Sequence, residues 1–276
     1  MIDYIKIIIV ICLLLFATLV KSQDVELGRK VWYSNYTFVK INSRFSIDNF
    51  LVFSFDKDKN NRFGFAQTDL GLNYHYNKKL KFFIAYSNSQ FRYSDFYLKR
   101  YKSEPNSLGF MTFQRLGLGV QYIWKINRNF KLTNKLVGQY YFPTLEKYKF
   151  RYVYITTLAF KHRKLPLKLK PFVQSFLYYY SGGLEYDYIN TNNGLVEPAS
   201  PNGIHRVRFR GGASIKPFSN FKPLSLKIYY GIQKEFNTRY GNDINVQKIG
   251  TYTGNVYTKM KFNNYSIFGL QLNLVF

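Results

Sequence analysis

The feature that most constrains this chain is a side-chain period of two that persists for a dozen residues at a time. From Arg44 to Asp56, the odd positions are Phe45, Ile47, Asn49, Leu51, Phe53 and Phe55, and the even ones include Arg44, Ser46, Asp48, Ser54 and Asp56. From Gly64 to Tyr76, Ala66, Leu70, Leu72, Tyr74 and Tyr76 oppose Gln67, Asp69, Asn73 and His75. From Arg115 to Ile126, Leu116, Leu118, Val120, Tyr122, Trp124 and Ile126 oppose Arg115, Gly117, Gly119, Gln121 and Lys125. A strand has this period and a helix does not, so each run is a strand with one apolar and one polar face.

Continued along the chain, the pattern places strands near 31–41, 44–56, 63–76, 80–94, 112–126, 130–142, 148–161, 169–181, 204–217, 224–237, 250–262 and 265–276. Short polar turns join many of them: Asn77-Lys78-Lys79, Asn127-Arg128-Asn129, Ser219 to Lys222, and Asn263-Asn264. Longer links at 95–111, 182–203 and 238–249 are rich in turn-forming residues and read as loops. Such strands are long beside the ~5–6 residues usual in soluble sheets. They suit a bilayer, which a tilted strand crosses in ~9–11 residues. The expected fold is all-β: a single antiparallel transmembrane β-barrel of about twelve strands, within a range of roughly ten to fourteen.

The N-terminus points the same way. Ile7 to Val20 is an apolar run with Lys6 before it and Lys21-Ser22 after it. It is short for a spanning helix, which needs ~20 residues, and has the form of a secretory signal peptide. Cleavage after Ser22 divides the chain into a signal peptide, 1–22, and a barrel domain, 23–276, of 254 residues. Cys12 is the only cysteine and lies inside the signal, so the exported chain has neither a disulfide nor a thiolate metal site.

Composition bounds the chemistry. The chain has 40 Lys+Arg against 15 Asp+Glu, a formal charge of +25, with 26 Tyr and 27 Phe. The basic residues recur singly along strands and turns rather than in one face-wide cluster, and export argues against a nucleic-acid partner. Phosphates of lipopolysaccharide and other outer-membrane lipids, or anionic solutes, are the better candidates. The three His residues, His75, His162 and His205, have no nearby nucleophile motif such as Gly-x-Ser-x-Gly, and are too scattered for a metal site. No enzyme activity, metal or cofactor is expected. Gly71, Gly117, Gly119, Gly212 and Gly231 fall on the polar parity, where they make room for long side chains inside a narrow barrel.

Three segments share one phrase: an aromatic or apolar strand end, Asn with Lys or Arg, then an aromatic or Leu restart. They are Val39-Lys40-Ile41-Asn42-Ser43-Arg44-Phe45, Tyr74-His75-Tyr76-Asn77-Lys78-Lys79-Leu80 and Trp124-Lys125-Ile126-Asn127-Arg128-Asn129-Phe130. With Trp32 near the start and a final YSIFGLQLNLVF, the chain resembles the Bacteroidota outer-membrane barrels grouped as domain-of-unknown-function family 2490. The resemblance implies a barrel in the outer membrane of a Gram-negative bacterium and carries no catalytic residues. Phe276, a terminal aromatic on an alternating strand, resembles the signal read by the barrel-assembly machinery.

With Phe276 in the periplasm and both termini on that side, twelve crossings put the long 182–203 loop in the periplasm, the reverse of the usual arrangement. Reading 250–262 as an extracellular extension removes the conflict, at the cost of rearranging a stretch near 24–34. The densest charge pattern lies between His205 and Phe218, where Arg206, Arg208, Arg210 and Lys216 share a parity. With the apolar parity toward lipid, these four form a basic ladder on the inner wall. Closing the hairpin sets Arg206 opposite Glu235, Arg208 opposite Gln233 and Arg210 opposite Gly231; a slip by two would pair Arg208 with Glu235 instead, while a slip by one would invert both faces. Glu235, Asp48 and Asp69 are then the inward acids available to neutralise it. The sequence thus points to a monomeric, non-enzymatic outer-membrane barrel with a basic polar lumen and a structural or envelope-interaction role. A small anion-preferring diffusion channel is the alternative, and an outer-membrane lipid-modifying enzyme a distant one.

Overall fold

The structure is a computed structural model that describes residues 28–60, 62–92, 110–145, 148–161, 165–181, 203–218, 220–221, 223–235, 244–248, 257–261 and 264–276. The expected signal segment and His162 lie outside the described residues. The described chain is β-structure with two single-turn 3-10 segments, Lys57–Lys59 and Pro166–Lys168. In chain order the strands are β1 (Gly28–Lys40), β2 (Phe45–Asp56), β3 (Arg62–His75), β4 (Leu80–Arg92), β5 (Phe110–Lys125), β6 (Phe130–Leu145), β7 (Tyr148–Phe160), β8 (Lys170–Ser181), β9 (Gly203–Ile215), β10 (Leu224–Glu235), β11 (Ile244–Lys248), β12 (Tyr257–Lys261) and β13 (Tyr265–Val275).

Eleven of these close into one barrel in the order β1-β13-β10-β9-β8-β7-β6-β5-β4-β3-β2. Two expectations are corrected here. The described part of the expected strand 250–262, Tyr257–Lys261, is not in the wall but pairs with Ile244–Lys248 in a separate two-stranded sheet. Nor is the barrel antiparallel throughout. Strands joined by hairpins alternate in direction, so an odd number leaves the first and last pointing the same way. β1 and β13 therefore pair in parallel, from Gly28 opposite Tyr265 to Phe38 opposite Val275.

This count also removes the conflict over the loops. One end of the barrel carries the turns 41–44, 76–79, 126–129, 161–169 and 216–223 together with Phe276. The other carries the start of β1, the 3-10 turn Lys57–Lys59 and the strand ends that border the links 93–109, 146–147, 182–202 and 236–264. The long links and Phe276 are thus at opposite ends, with no rearrangement of β1. At the long-loop end, the Arg29 backbone amide and guanidinium both donate to Asp58, at 2.5 and 2.7 Å. These bonds hold the Asp58 carboxyl below the usual carboxylate range.

The recurring Asn phrase has a physical cause. Asn42 Oδ1 accepts from the amides of Arg44 and Phe45, both at 2.8 Å. Asn77 accepts from Lys79 and Leu80, and Asn127 from Asn129 and Phe130, at 2.8–2.9 Å. Each Asn side chain satisfies amides that the reversing chain would otherwise leave open, as turn-forming Asn does in general. The polar pair Lys/Arg rides on the tip and the next aromatic restarts the strand.

The outward parity is largely apolar, with Asn35, Thr37, Asn49, Asn134, Thr156 and Ser175 as polar exceptions. Leu70, Leu72, Ile84, Leu116, Leu118, Leu136, Val173 and Ile228 are exposed at mid-wall. Aromatics flank them at both ends. Phe45 packs on Tyr74 and Phe130 on Phe160 at the short-turn end, with Tyr76, Tyr122, Trp124 and Phe276 exposed nearby. At the other end Phe55 meets Phe63, Tyr140 meets Phe150 and Tyr152 meets Tyr179.

The inner parity packs rings against backbone. A Cβ on Gly269 would overlap the Tyr229 ring, one on Gly119 the Phe83 ring, and one on Gly71 the Asp48 carboxylate. These glycines let a neighbouring side chain lie flat on the wall. Gly212 is tighter still, because its Cβ would overlap the backbone of Ile228 and Tyr229, whereas Gly211 beside it has nothing within 4 Å. Gly212→Ala is expected to destabilise the barrel by about 1–3 kcal/mol, and Gly211→Ala to leave it within about 0.5 kcal/mol. Urea titration of the refolded protein, followed by tryptophan fluorescence, checks the contrast between the two neighbours.

Candidate functional site

The polar interior is built from the β9–β10 hairpin. Arg206 pairs with Glu235, Arg208 with Gln233 and Arg210 with Gly231, the register obtained by closing the hairpin on the sequence. Alternation turns the three guanidiniums to the same face as buried Tyr229 and Gln233, which is the inside of the barrel. Arg206 Nη2 forms an ion pair with Glu235 Oε1. Arg208 donates to Gln233 Oε1 through both Nε and Nη2, and the same oxygen accepts from the Tyr265 hydroxyl at 2.9 Å.

Arg210 has another kind of partner. Among the described residues it makes no hydrogen bond or ion pair, and its buried Nε is unsatisfied. Its guanidinium lies 5.0 Å from the Trp32 ring centre, 4.8 Å from Phe176 and 4.8 Å from Tyr229. Arg208 stands over Trp32 at 4.8 Å, and Arg206 over Tyr178 at 5.5 Å. The quadrupole of an aromatic face attracts a cation, by about 2 kcal/mol or more when water is excluded. A planar, weakly hydrated guanidinium suits stacked sites of this kind better than an ammonium does. β8 supplies much of the aromatic surface, because Phe172, Phe176, Tyr178 and Tyr180 all fall on its inner parity.

A second group lies across the interior. Arg115 is 3.8 Å from Asp69, donates to Ser89 Oγ at 2.9 Å and stands 5.6 Å over Tyr141. The Gln67 amide nitrogen donates to both oxygens of Asp69, at 2.9 and 2.8 Å. Arg151 donates to Gln139 and lies over Tyr141 and Tyr178. Asp48 accepts from the Tyr36 hydroxyl at 3.3 Å. Asp48 and Asp69 thus face inward but bond to neighbours on their own side, and Glu235 is the acid the structure joins to the ladder.

Other sequence-derived positions separate in the structure. Lys216 lies just past the end of β9, where its amide donates to the Leu167 carbonyl, so it belongs to the short-turn mouth rather than to the Arg group. His75 Nε2 is 2.8 Å from Ser46 Oγ, a pair formed across β2 and β3 that no local spacing reveals. Ser46 is fully buried. The side chain of His205 lies outside the described residues. Phe276 donates its amide to Phe38 O at 2.8 Å and accepts from Lys40 N at 3.1 Å, fastening the last residue to β1. Among the described residues, no group of three or more His, Cys, Asp or Glu could hold a metal ion.

Axis-facing side chains are buried in both halves of the interior. In the long-loop half, Ser54, Ser89, Gln233 and Ile267 are 0 % exposed and Arg115 is 4 % exposed, although all face the barrel axis. In the short-turn half, Ser46 is 0 % and Asn73 1 % exposed, while Thr133, Lys135, Thr157, Gln174, Ser214, Lys227 and Gln271 are half-buried. No family model, curated protein or solved structure matches this chain.

Removing one member of a buried ion pair leaves the other charge uncompensated. Glu235→Ala is expected to cost on the order of 3 kcal/mol in urea unfolding, and Glu235→Gln, which keeps an acceptor, distinctly less. Equal midpoints for Glu235→Ala and wild type would remove the pair from the interior's energetics.

Proposed function

We propose that this chain is an integral outer-membrane β-barrel with a closed lumen and a structural or envelope-interaction role. The carrying observation is the outer surface: an aliphatic mid-wall bracketed by aromatics at both ends of a closed barrel. That arrangement matches the lipid band and interfacial girdles of membrane barrels. In a hydrocarbon setting a barrel is one of two architectures that satisfy every backbone group. Among the described residues no helix is long and apolar enough to cross a membrane, which has no bearing on crossing by strands. On this reading 1–22 is a cleaved signal peptide, Phe276 lies on the periplasmic side, and the long links face outward toward lipopolysaccharide. The resemblance to domain-of-unknown-function family 2490 agrees with that location.

Support for a closed lumen comes from axis-facing side chains in the long-loop half that no water reaches. An open pore would leave them wet. We assign the barrel no reaction, and take the inner Arg–aromatic layer as packing that fills the cross-section. The basic short-turn half favours a second reading, a small anion-preferring channel.

Three measurements test the proposal. The protein is expected in the outer-membrane fraction, migrating faster unboiled than boiled in detergent gels; extraction by salt alone would overturn the membrane reading. In planar bilayers wild type is expected to be silent. Sustained conductance steps, with anion selectivity lost on Arg206→Ser/Arg208→Ser/Arg210→Ser, would establish the channel instead. Deleting Phe276 is expected to lower the amount of assembled barrel several-fold, more than Phe172→Ala does. Unchanged assembly would refute its role as a signal.

A further inference from the structure

The short-turn mouth collects lysines from four consecutive strand ends. Lys131 is the second residue of β6, Lys161 follows β7, Lys170 begins β8 and Lys216 follows β9. Lys131 shares the parity of Lys135 and buried Val137, and Lys170 that of buried Phe172, so both face the axis. Lys168 joins them from the link between β7 and β8. The charges of Lys161, Lys216, Lys131 and Lys168 bear on Lys170. Among the described residues the short-turn halves of the wall strands hold two acids: Asp48, bonded to Tyr36, and Asp69 at mid-wall, 3.8 Å from Arg115.

The backbone holds this arrangement at a cost. Leu167 and Lys168 have φ of 50° and 51°, two consecutive non-glycine residues in the left-handed region. In that region the side chain crowds its own backbone, so each such residue is strained. Two bonds fix the segment there: Leu169 N to Pro166 O and Lys216 N to Leu167 O, both at 2.9 Å. A strained link thus fixes Lys168 beside like charges that repel it. Strain of this kind concentrates at ligand clamps and switch regions, where the surrounding structure maintains it.

We propose that the lysine-lined mouth binds a phosphate-bearing polyanion. Several ammonium groups converging on one opening raise the local anion concentration, and a multivalent phosphate relieves their mutual repulsion. The phosphate has two possible sources: a soluble polyanion entering the mouth, or the headgroups of the surrounding leaflet. The axial parity of Lys131 and Lys170 favours the soluble one, because headgroups meet the outer wall. The inference rests on the barrel reading for the mouth itself, and not on whether the lumen conducts.

The test uses the full-length barrel in phosphatidylcholine nanodiscs at low salt, with sodium tripolyphosphate as probe and calorimetry as readout. Wild type is expected to bind. Lys131→Gln/Lys161→Gln/Lys168→Gln/Lys170→Gln is expected to bind at least tenfold more weakly, and Lys57→Gln/Lys59→Gln/Arg62→Gln/Lys149→Gln, at the other end, as wild type does. Lysine acetylation read by mass spectrometry keeps the test independent of the variants' folding: tripolyphosphate is expected to protect Lys131, Lys161, Lys168 and Lys170 in wild type. Repeating the labelling in phosphatidylglycerol nanodiscs separates the sources. Protection by that lipid alone assigns the site to headgroups, and protection only by tripolyphosphate to a soluble anion. Unchanged labelling with either, or equal weakening by both quadruple variants, overturns the proposal. Conductance by wild type would end the closed-lumen reading and leave these outcomes as they stand.

Discussion

The structure depends on pairing the two edges of one sheet. A strand whose backbone N–H and C=O groups face hydrocarbon without partners loses several kcal/mol for each, so an open sheet cannot span a bilayer. Here the edges meet in the parallel β1–β13 pair, extended by the bonds of Phe276 to Phe38 and Lys40. Everything else follows from that closure. It fixes which parity faces in, which end carries the short turns, and which side chains must share the narrow interior.

That interior joins cations to rings more often than to carboxylates. Basic residues outnumber acids throughout the chain, and the ladder has one acid attached, Glu235. Trp32, Phe176, Tyr178 and Tyr229 take up the balance by offering their faces to Arg206, Arg208 and Arg210. Burial of a charge is costly unless something replaces its water, and an aromatic face does so in part. The glycines under Tyr229 and Phe83 serve the same end, since they let the rings lie flat and leave the axis to the guanidiniums.

Most of the wall was legible in the sequence because alternation is a local signal. The runs read at 44–56, 63–76 and 130–142 correspond to β2, β3 and β6 with small shifts at the ends. The β9–β10 register was legible in part: a slip by one residue would turn Arg208 and Arg210 to the outer face, whereas the alternative slip by two, pairing Arg208 with Glu235, is excluded only by the structure. What escaped is non-local or two-sided. β11 lies in a stretch read as loop, and its partner β12 was read as part of a wall strand. The parallel seam depends on the total count, which no single segment reveals. The aromatic partners of the ladder were hidden because β8 is apolar on both parities, so its pattern does not say which rings turn inward. Ser46 and His75 meet only once β2 and β3 are paired.

The seam bears on how the molecule comes to exist. Ten of the eleven wall contacts join strands that neighbour each other along the chain, apart from the detour through β11 and β12, so each can zip from its predecessor. The eleventh joins Gly28 to Tyr265 and needs nearly the whole chain to have been made. Contacts of such separation carry the greatest loop-closure entropy and form last. Parallel ladders are also slightly less stable per residue than antiparallel ones. The first strand must therefore wait, its edge unpaired, until the final one arrives, and the same line is where the finished wall is easiest to part.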